Sequence, residues 1–386
     1  MVYFDNAATS WPKPETVYKA MDYCMREVGA NPGRSGHKMS VEAERIVLNA
    51  RELLAETFGV EDSSRVILTF NATDSLNLAI KGMLRPGDHA ITSSFEHNSV
   101  IRPLRGLEAA GVITLTTVPN SPEGYLNPLD VERAIRPNTR LVAIIHASNV
   151  TGTLMPVVEI GGILRKYPNI YYLVDAAQTA GVIPISVKEM GVDLLAFPGH
   201  KGLLGPQGTG GLYVAEGIET IMPPLKEGGT GSLSEKEIHP DFLPDKYESG
   251  TKNTVGLAGL AAGLEFVKEQ GIENIHRKEQ VITQRLIEGL RRINKVKLYG
   301  PCDANKQTAV VSINIEGLRS NETGYYLDQE YEIMTRVGLH CAPIAHRTIG
   351  TAPNGTVRLS PGYFSTEADV DYVCQALAGI VKKYVG

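Results

Sequence analysis

The stretch RLVAIIHASNVTGTLMPVVEIGGILRKYPNIYYLVDA (140–176) holds two apolar runs, RLVAIIHA (140–147) and IYYLVDA (170–176), on either side of a helix pattern, MPVVEIGGILRKY (155–167). Both runs are apolar on both faces, as parallel strands covered by helices on each side should be. The same alternation continues outward. RVILTF (65–70), HAITS (89–93), VITLTTV (112–118) and DLLAF (193–197) read as further strands, with TDSLNLAIKGML (73–84) as a helix between two of them. Strand–helix alternation from Arg65 to Phe197 predicts an α/β fold with a parallel sheet and helices on both faces.

After Ser249 the pattern changes. A small-residue helix pattern, NTVGLAGLAAGLEFVKEQ (253–270), leads into a long one near 272–293. Strands VKLYG (296–300), AVVSINI (309–315) and TVRLSP (356–361) follow, and the amphipathic TEADVDYVCQALAGIVKKY (366–384) closes the chain. The expected organisation is a large domain over 15–255 and a smaller C-terminal α+β domain over 256–386, with residues 1–14 folding back onto the latter.

Composition narrows the class of function. The chain has 386 residues, 42% hydrophobic and 21% charged, which is ordinary for a globular protein of about two domains. Its net charge of −5 carries no basic footprint for nucleic acid or an anionic membrane. Cys24, Cys302, Cys341 and Cys374 are widely spaced and form neither a zinc ribbon nor a disulfide framework. The opening MVYFDNAATSWPKP lacks the basic and apolar regions of a signal peptide, and no run is apolar enough to span a bilayer. Small-molecule chemistry in the cytoplasm, with reduced thiols and no metal, is the expectation.

In an open parallel sheet ligands sit at the carboxyl ends of the strands. Those ends carry Ala72 and Thr73, His97, Asn149, Asp175, and His200-Lys201. Lys201 lies in FPGHKGLLGPQGTGG and is either an exposed loop lysine or an amine made nucleophilic by desolvation. The segment fits no GxxxxGK[ST] motif, and the chain contains no GxGxxG. Asp175 is either a helix cap or the partner of a cationic ring nitrogen, as pyridoxal phosphate requires. Thr73, at a helix start, suits capping or phosphate binding. His97 suits a core position or a lid over a cofactor ring. Cys341, in RVGLHCAPIAHRTIGTAPNG, is a buried structural cysteine, a metal ligand with His340 and His346, or a reactive thiol in a basic neighbourhood.

The ordered set FNATDSLNLA, FEHNSV, SNVTGT, LVDAAQTAG, GHKGLLGPQGTGGLY, ESGTKNT, GLHCAP and TVRLSPGYF resembles the class V aminotransferase superfamily, most closely its cysteine desulfurase and selenocysteine lyase branch. The resemblance runs from YFDNAAT to the last helix. It implies the fold-type I architecture, pyridoxal 5′-phosphate as cofactor, and a cytoplasmic homodimer that passes sulfur from L-cysteine to an acceptor protein. It also implies roles. Lys201 would carry the cofactor and move the Cα proton. Asp175 would pair with the ring nitrogen, His97 would stack on the ring, and Gln178 and Asn149 would contact its phenolic oxygen. Ala72, Thr73 and His200 would hold the phosphate, with Thr251 reaching it from the other subunit beside Arg34 and His37. Arg358, with Asn149, would bind the substrate carboxylate, and Cys341 would accept the sulfur. Pro198, Ala72 and Asn98 depart from residues common among relatives, which often carry Ser, Thr and His there. Other reactions on this scaffold are selenocysteine, cystine or cysteine-sulfinate cleavage, and transamination.

Overall fold

The computed structural model describes residues 1–33 and 36–386. A short strand β1 (Val2–Tyr3) precedes β2 (Val66–Thr69), β3 (Asp88–Ser93), β4 (Ile113–Val118), β5 (Thr139–Ile145), β6 (Tyr171–Asp175), β7 (Leu194–Pro198) and β8 (Gly210–Val214). Strands β2 to β8 form one seven-stranded sheet in the order β2-β8-β7-β6-β5-β3-β4. The six strands expected from the sequence all run the same way. Between two of them lies β8, antiparallel to both β2 and β7.

Strand β8 was not expected, because its glycines belong to FPGHKGLLGPQGTGG, which reads as a loop. Its glycines are needed for close approach. A Cβ on Gly211 would stand 2.4 Å from the Phe197 ring, and one on Gly210 would stand 2.9 Å from the Asn71 backbone. Glycine inside a strand often marks such a place.

Alternate residues of the sheet feed two cores, as a period of two requires. Val142, Ile144, Val174 and Leu195 face helices Lys38–Phe58, Val157–Leu164 and Thr254–Gln270 through Leu54, Phe58, Ile160 and Leu260. Leu141, Ala143, Leu173 and Leu194 face helices Ala72–Met83 and Asn98–Ala109 through Leu76, Ile80 and Leu104. These side chains are buried, and each of the larger ones (all but Ala143) contributes about 1.5–3 kcal/mol by leaving water.

Past residue 271 come β9 (Val296–Tyr299), β10 (Val311–Ile315), β11 (Ile333–Met334), β12 (Arg336–Gly338) and β13 (Thr356–Leu359). Strands β12-β13-β10-β9 make an antiparallel sheet, covered by helices Ile272–Arg291 and Glu367–Tyr384 through Leu286, Leu290, Val373 and Leu377. Strand β1 pairs in parallel with β11, and Val2 and Phe4 join this third core. Pairing at one end of the 3–13 segment carries the rest of it across the carboxyl ends of β5 to β7.

Candidate active site

At those strand ends lies a cavity of about 220 Å³. Ala72, Thr73, His97, Asn149, Asp175, Gln178, His200, Lys201, Cys341 and Arg358 all line it. Thr251 does not. It is exposed and lines a separate groove with Phe70, Asp74 and Lys226. His37 caps the helix Lys38–Phe58, accepting from the Ser40 N–H at 3.2 Å, while Arg34 lies outside the described residues.

Lys201 is half-buried, and its amine has no hydrogen bond or ion pair among the described residues. Desolvation, with the Arg358 guanidinium nearby, brings it down to about 8. Asp175 is 2% exposed, and its Oδ1 accepts from the Ala177 N–H at 2.9 Å. A turn rather than a helix follows it, so the capping alternative falls away. Burial without a directly bound cation raises Asp175 to about 6, opposed by the Ala177 N–H and by Lys201.

Asn71, not Thr73, caps the helix Ala72–Met83, accepting from the Asp74 N–H. The first-turn N–H groups of Ala72 and Thr73 then lie outside the helix ladder, beside the cavity. The Thr73 hydroxyl lies 2.7 Å from that of Ser99, whose N–H donates to His97 Nδ1 at 3.1 Å. Burial and the neighbouring cations Lys201 and Arg358 bring His97 down to about 4, so it is a neutral ring at pH 7. His200 also falls to about 4, and its Nδ1 is buried without a hydrogen bond. Asn149 Oδ1 and Arg358 Nε are buried and unpartnered too. Together these atoms form an incomplete polar shell around the space in front of Lys201.

Cys341 is exposed, which removes the reading of a buried structural cysteine. His340 and His346 are buried beside each other, and among the described residues no three His, Cys, Asp or Glu side chains gather to hold a metal ion.

Several residues that hold the site in place were not singled out from the sequence; of these only Ala7 itself lines the cavity. Asp5 pairs with Arg358 at 2.9 Å, and Ala7 accepts from Gln178 Nε2 at 3.1 Å. Ser10 and Lys13 hold the Lys201 loop: Lys13 Nζ donates to the His200 carbonyl at 2.8 Å, and Ser10 Oγ to the Lys201 carbonyl at 2.9 Å. Glu96 accepts from Ser93 Oγ at 2.6 Å and from the Ile145 N–H at 3.0 Å, fixing the turn that presents His97. Only the density of small and polar residues in YFDNAATSWPKP signalled the first four.

The family described as Aminotransferase class-V matches residues 2–373. A probable cysteine desulfurase of Pyrococcus abyssi is 35% identical, over 99% of this chain and 94% of its own length. Cysteine desulfurase IscS of Dictyoglomus turgidum is 32% identical, over 99% and 95%. Among solved structures, the apo cysteine desulfurase of Thermococcus onnurineus superposes with a TM-score of 0.92 at 34% identity, covering 99% of this chain and 94% of that one. The cysteine desulfurase CsdA of Escherichia coli, in its S-sulfonic acid form, gives 0.88 at 25% identity, with 98% and 94% covered.

Proposed function

The chain belongs to the class-V aminotransferase family, and from that premise we propose that it is a cysteine desulfurase, converting L-cysteine to L-alanine and keeping the sulfur as a persulfide on Cys341. One observation carries the reading: an unpartnered, desolvated Lys201 amine, the Arg358 guanidinium and an exposed thiol share one cavity.

The family depends on pyridoxal 5′-phosphate, and the unpartnered polar shell fits that group. Asp175, whose Oδ2 makes no hydrogen bond among the described residues, suits the protonated ring nitrogen. Neutral His97 suits the ring face, and Asn149 and Gln178 suit the phenolic oxygen. His200 Nδ1 and the helix-start N–H groups of Ala72 and Thr73 suit the phosphate. Pro198 lines the cavity without N–H or hydroxyl, so those donors carry the phosphate side. When bound, the cofactor supplies an electron sink for charge developing at the substrate Cα.

The chain's own groups do the rest. Arg358 binds the substrate carboxylate. Lys201 takes the Cα proton and later returns one. The Cys341 thiolate attacks the substrate sulfur, so an S–S bond forms and the Cβ–S bond breaks. The electron pair of the broken bond stays with the carbon fragment, which is protonated to alanine. The terminal persulfide sulfur then passes to a thiol of an acceptor protein.

Thr251, outside its own chain's cavity, serves the phosphate site of a second copy in a homodimer. The four free cysteines and a persulfide-forming thiol suit the reducing cytoplasm. Among the described residues no helix is long and apolar enough to cross a membrane.

Three measurements test the reading. The protein loaded with pyridoxal phosphate should turn L-cysteine into alanine and sulfide, and borohydride should fix the cofactor to Lys201. Labelling of another lysine would reject the assignment of the loop. Sedimentation showing a fully active, cofactor-holding monomer would reject the homodimer.

A further inference from the structure

His340 and Cys341 are consecutive non-glycine residues in the left-handed region, at φ 47° and 57°. Bulky side chains persist there only where the surroundings hold them. The His340 carbonyl accepts from Asn149 Nδ2 at 2.6 Å, and the Cys341 carbonyl accepts from the Asn98 N–H at 2.7 Å. Asn149 follows β5 and lines the cavity, whereas Asn98 opens the helix Asn98–Ala109, so the turn is gripped from two sides.

The third grip is the His340 imidazole. It is 5% exposed, lies 3.0 Å through Nε2 from the Thr356 hydroxyl on β13, and packs 5.4 Å from the His346 ring. Thr356 is itself held by Ser312 Oγ at 3.0 Å on the neighbouring strand β10. His346 is fixed in turn by Thr351 Oγ1 at 2.6 Å. The exposed thiol therefore stands on a buried, hydrogen-bonded base.

The base also connects to the other end of the cavity. Arg358 Nη1 donates to the Asn149 carbonyl at 3.0 Å, and the Asn149 amide donates to the His340 carbonyl. Two hydrogen bonds and one residue separate the guanidinium from the peptide preceding Cys341.

We propose that His340 is a positioning residue: its imidazole pins the turn that presents the Cys341 thiol, and its carbonyl couples that turn through Asn149 to Arg358. The proposal rests on the desulfurase reading for its consequence in turnover, though not for the clamp itself. Carboxylate capture and thiol placement are then parts of one hydrogen-bonded frame, and the thiol needs no long loop to swing into reach.

The test uses the cofactor-loaded enzyme and compares His340→Ala with His340→Gln, whose amide reaches the place of Nε2. Iodoacetamide labelling of Cys341, followed by mass spectrometry, reports the thiol independently of turnover. His340→Ala should change the labelling rate about fivefold or more, or split one phase into two. Its kcat for L-cysteine should fall about tenfold or more, with KM within about twofold and cofactor absorbance unchanged. His340→Gln should recover most of both. Should His340→Ala not fold, Thr356→Val removes the same hydrogen bond with little change of shape. Wild-type labelling and kcat in the Ala variant would overturn the proposal, as would equal damage in Ala and Gln accompanied by cofactor loss. If the wild-type enzyme makes no alanine, the desulfurase reading fails, while the labelling rates still decide the clamp.

Discussion

Arg358 donates from Nη2 to Oδ1 of Asp5 at 2.9 Å, an ion pair that spans 353 positions of the chain. The guanidinium is 3% exposed and the carboxylate 19%. Without Asp5 a buried cation would face the cavity alone, which is costly. The N-terminal segment thus orients the guanidinium that the proposed reaction assigns to the substrate carboxylate, and leaves its Nε without a hydrogen bond.

Asp5→Ala should therefore destabilise the fold by about 3 kcal/mol, the lower end for breaking one side of a buried pair. Arg358→Lys lacks the planar fork and should weaken substrate capture by ~2–5 kcal/mol, roughly 30-fold or more in KM. Thermal melts and steady-state kinetics read the two effects. A KM unchanged in Arg358→Lys would place the carboxylate elsewhere.

Lys201 supplies a pH prediction for the cofactor-free protein. Its amine ionises near 8 instead of 10.5, because the site desolvates it and Arg358 repels its charge. Below 8 the protonated form dominates, so capture of pyridoxal phosphate should quicken about tenfold per pH unit and level off above 8. Stopped-flow absorbance follows this directly. A rate still rising in proportion at pH 10 would mean an ordinary, solvated lysine.

A second acid behaves differently. Glu279 on the helix Ile272–Arg291 is 9% exposed, and its carboxyl has no hydrogen bond or ion pair among the described residues. Burial pushes it up from 4.5 to about 8. Between those values the folded state holds more proton than the unfolded one, so stability falls as pH rises through the window. Glu279→Gln, which cannot ionise, should lack that part of the fall. Denaturant unfolding at pH 5 and pH 8 should show the two proteins diverging by at least about 1 kcal/mol. Parallel pH profiles would show that the carboxyl is already ionised at neutral pH.

The sequence was most legible where burial imposes a repeating pattern. Strands β5 and β6 announce themselves because both faces are covered, so the runs 141–145 and 172–174 are apolar throughout and buried. Helix Glu367–Tyr384 is legible from one apolar stripe and a Thr366–Asp369 capping box. Strand β8 was hidden, since packing against Phe197 demands the glycines that propensity assigns to turns. The strand-end residues Asp175, His97 and Lys201 stood where an open sheet puts its ligands. Asp5, Ser10 and Lys13 did not, because their place depends on the pairing of β1 with β11, some 330 residues away (Val2 with Ile333). Contacts of that range leave no local periodicity. The role given to Thr251 rests on resemblance alone, and its own chain places it in a different groove.

Cys341 is where the account is most exposed to test. In the proposed reaction everything before sulfur transfer uses Lys201, Asp175 and Arg358, and none of it uses the thiol. Cys341→Ala should bind the cofactor and still change its spectrum with L-cysteine, yet yield little alanine. The direct measurement is mass spectrometry of the wild-type enzyme after one turnover with L-cysteine, mapping added sulfur and counting alanine in parallel. One sulfur atom is expected on the Cys341 peptide for each alanine released. Alanine without sulfur on Cys341, and at the same rate from Cys341→Ala, would contradict it and point to direct cleavage of the C–S bond without a protein thiol.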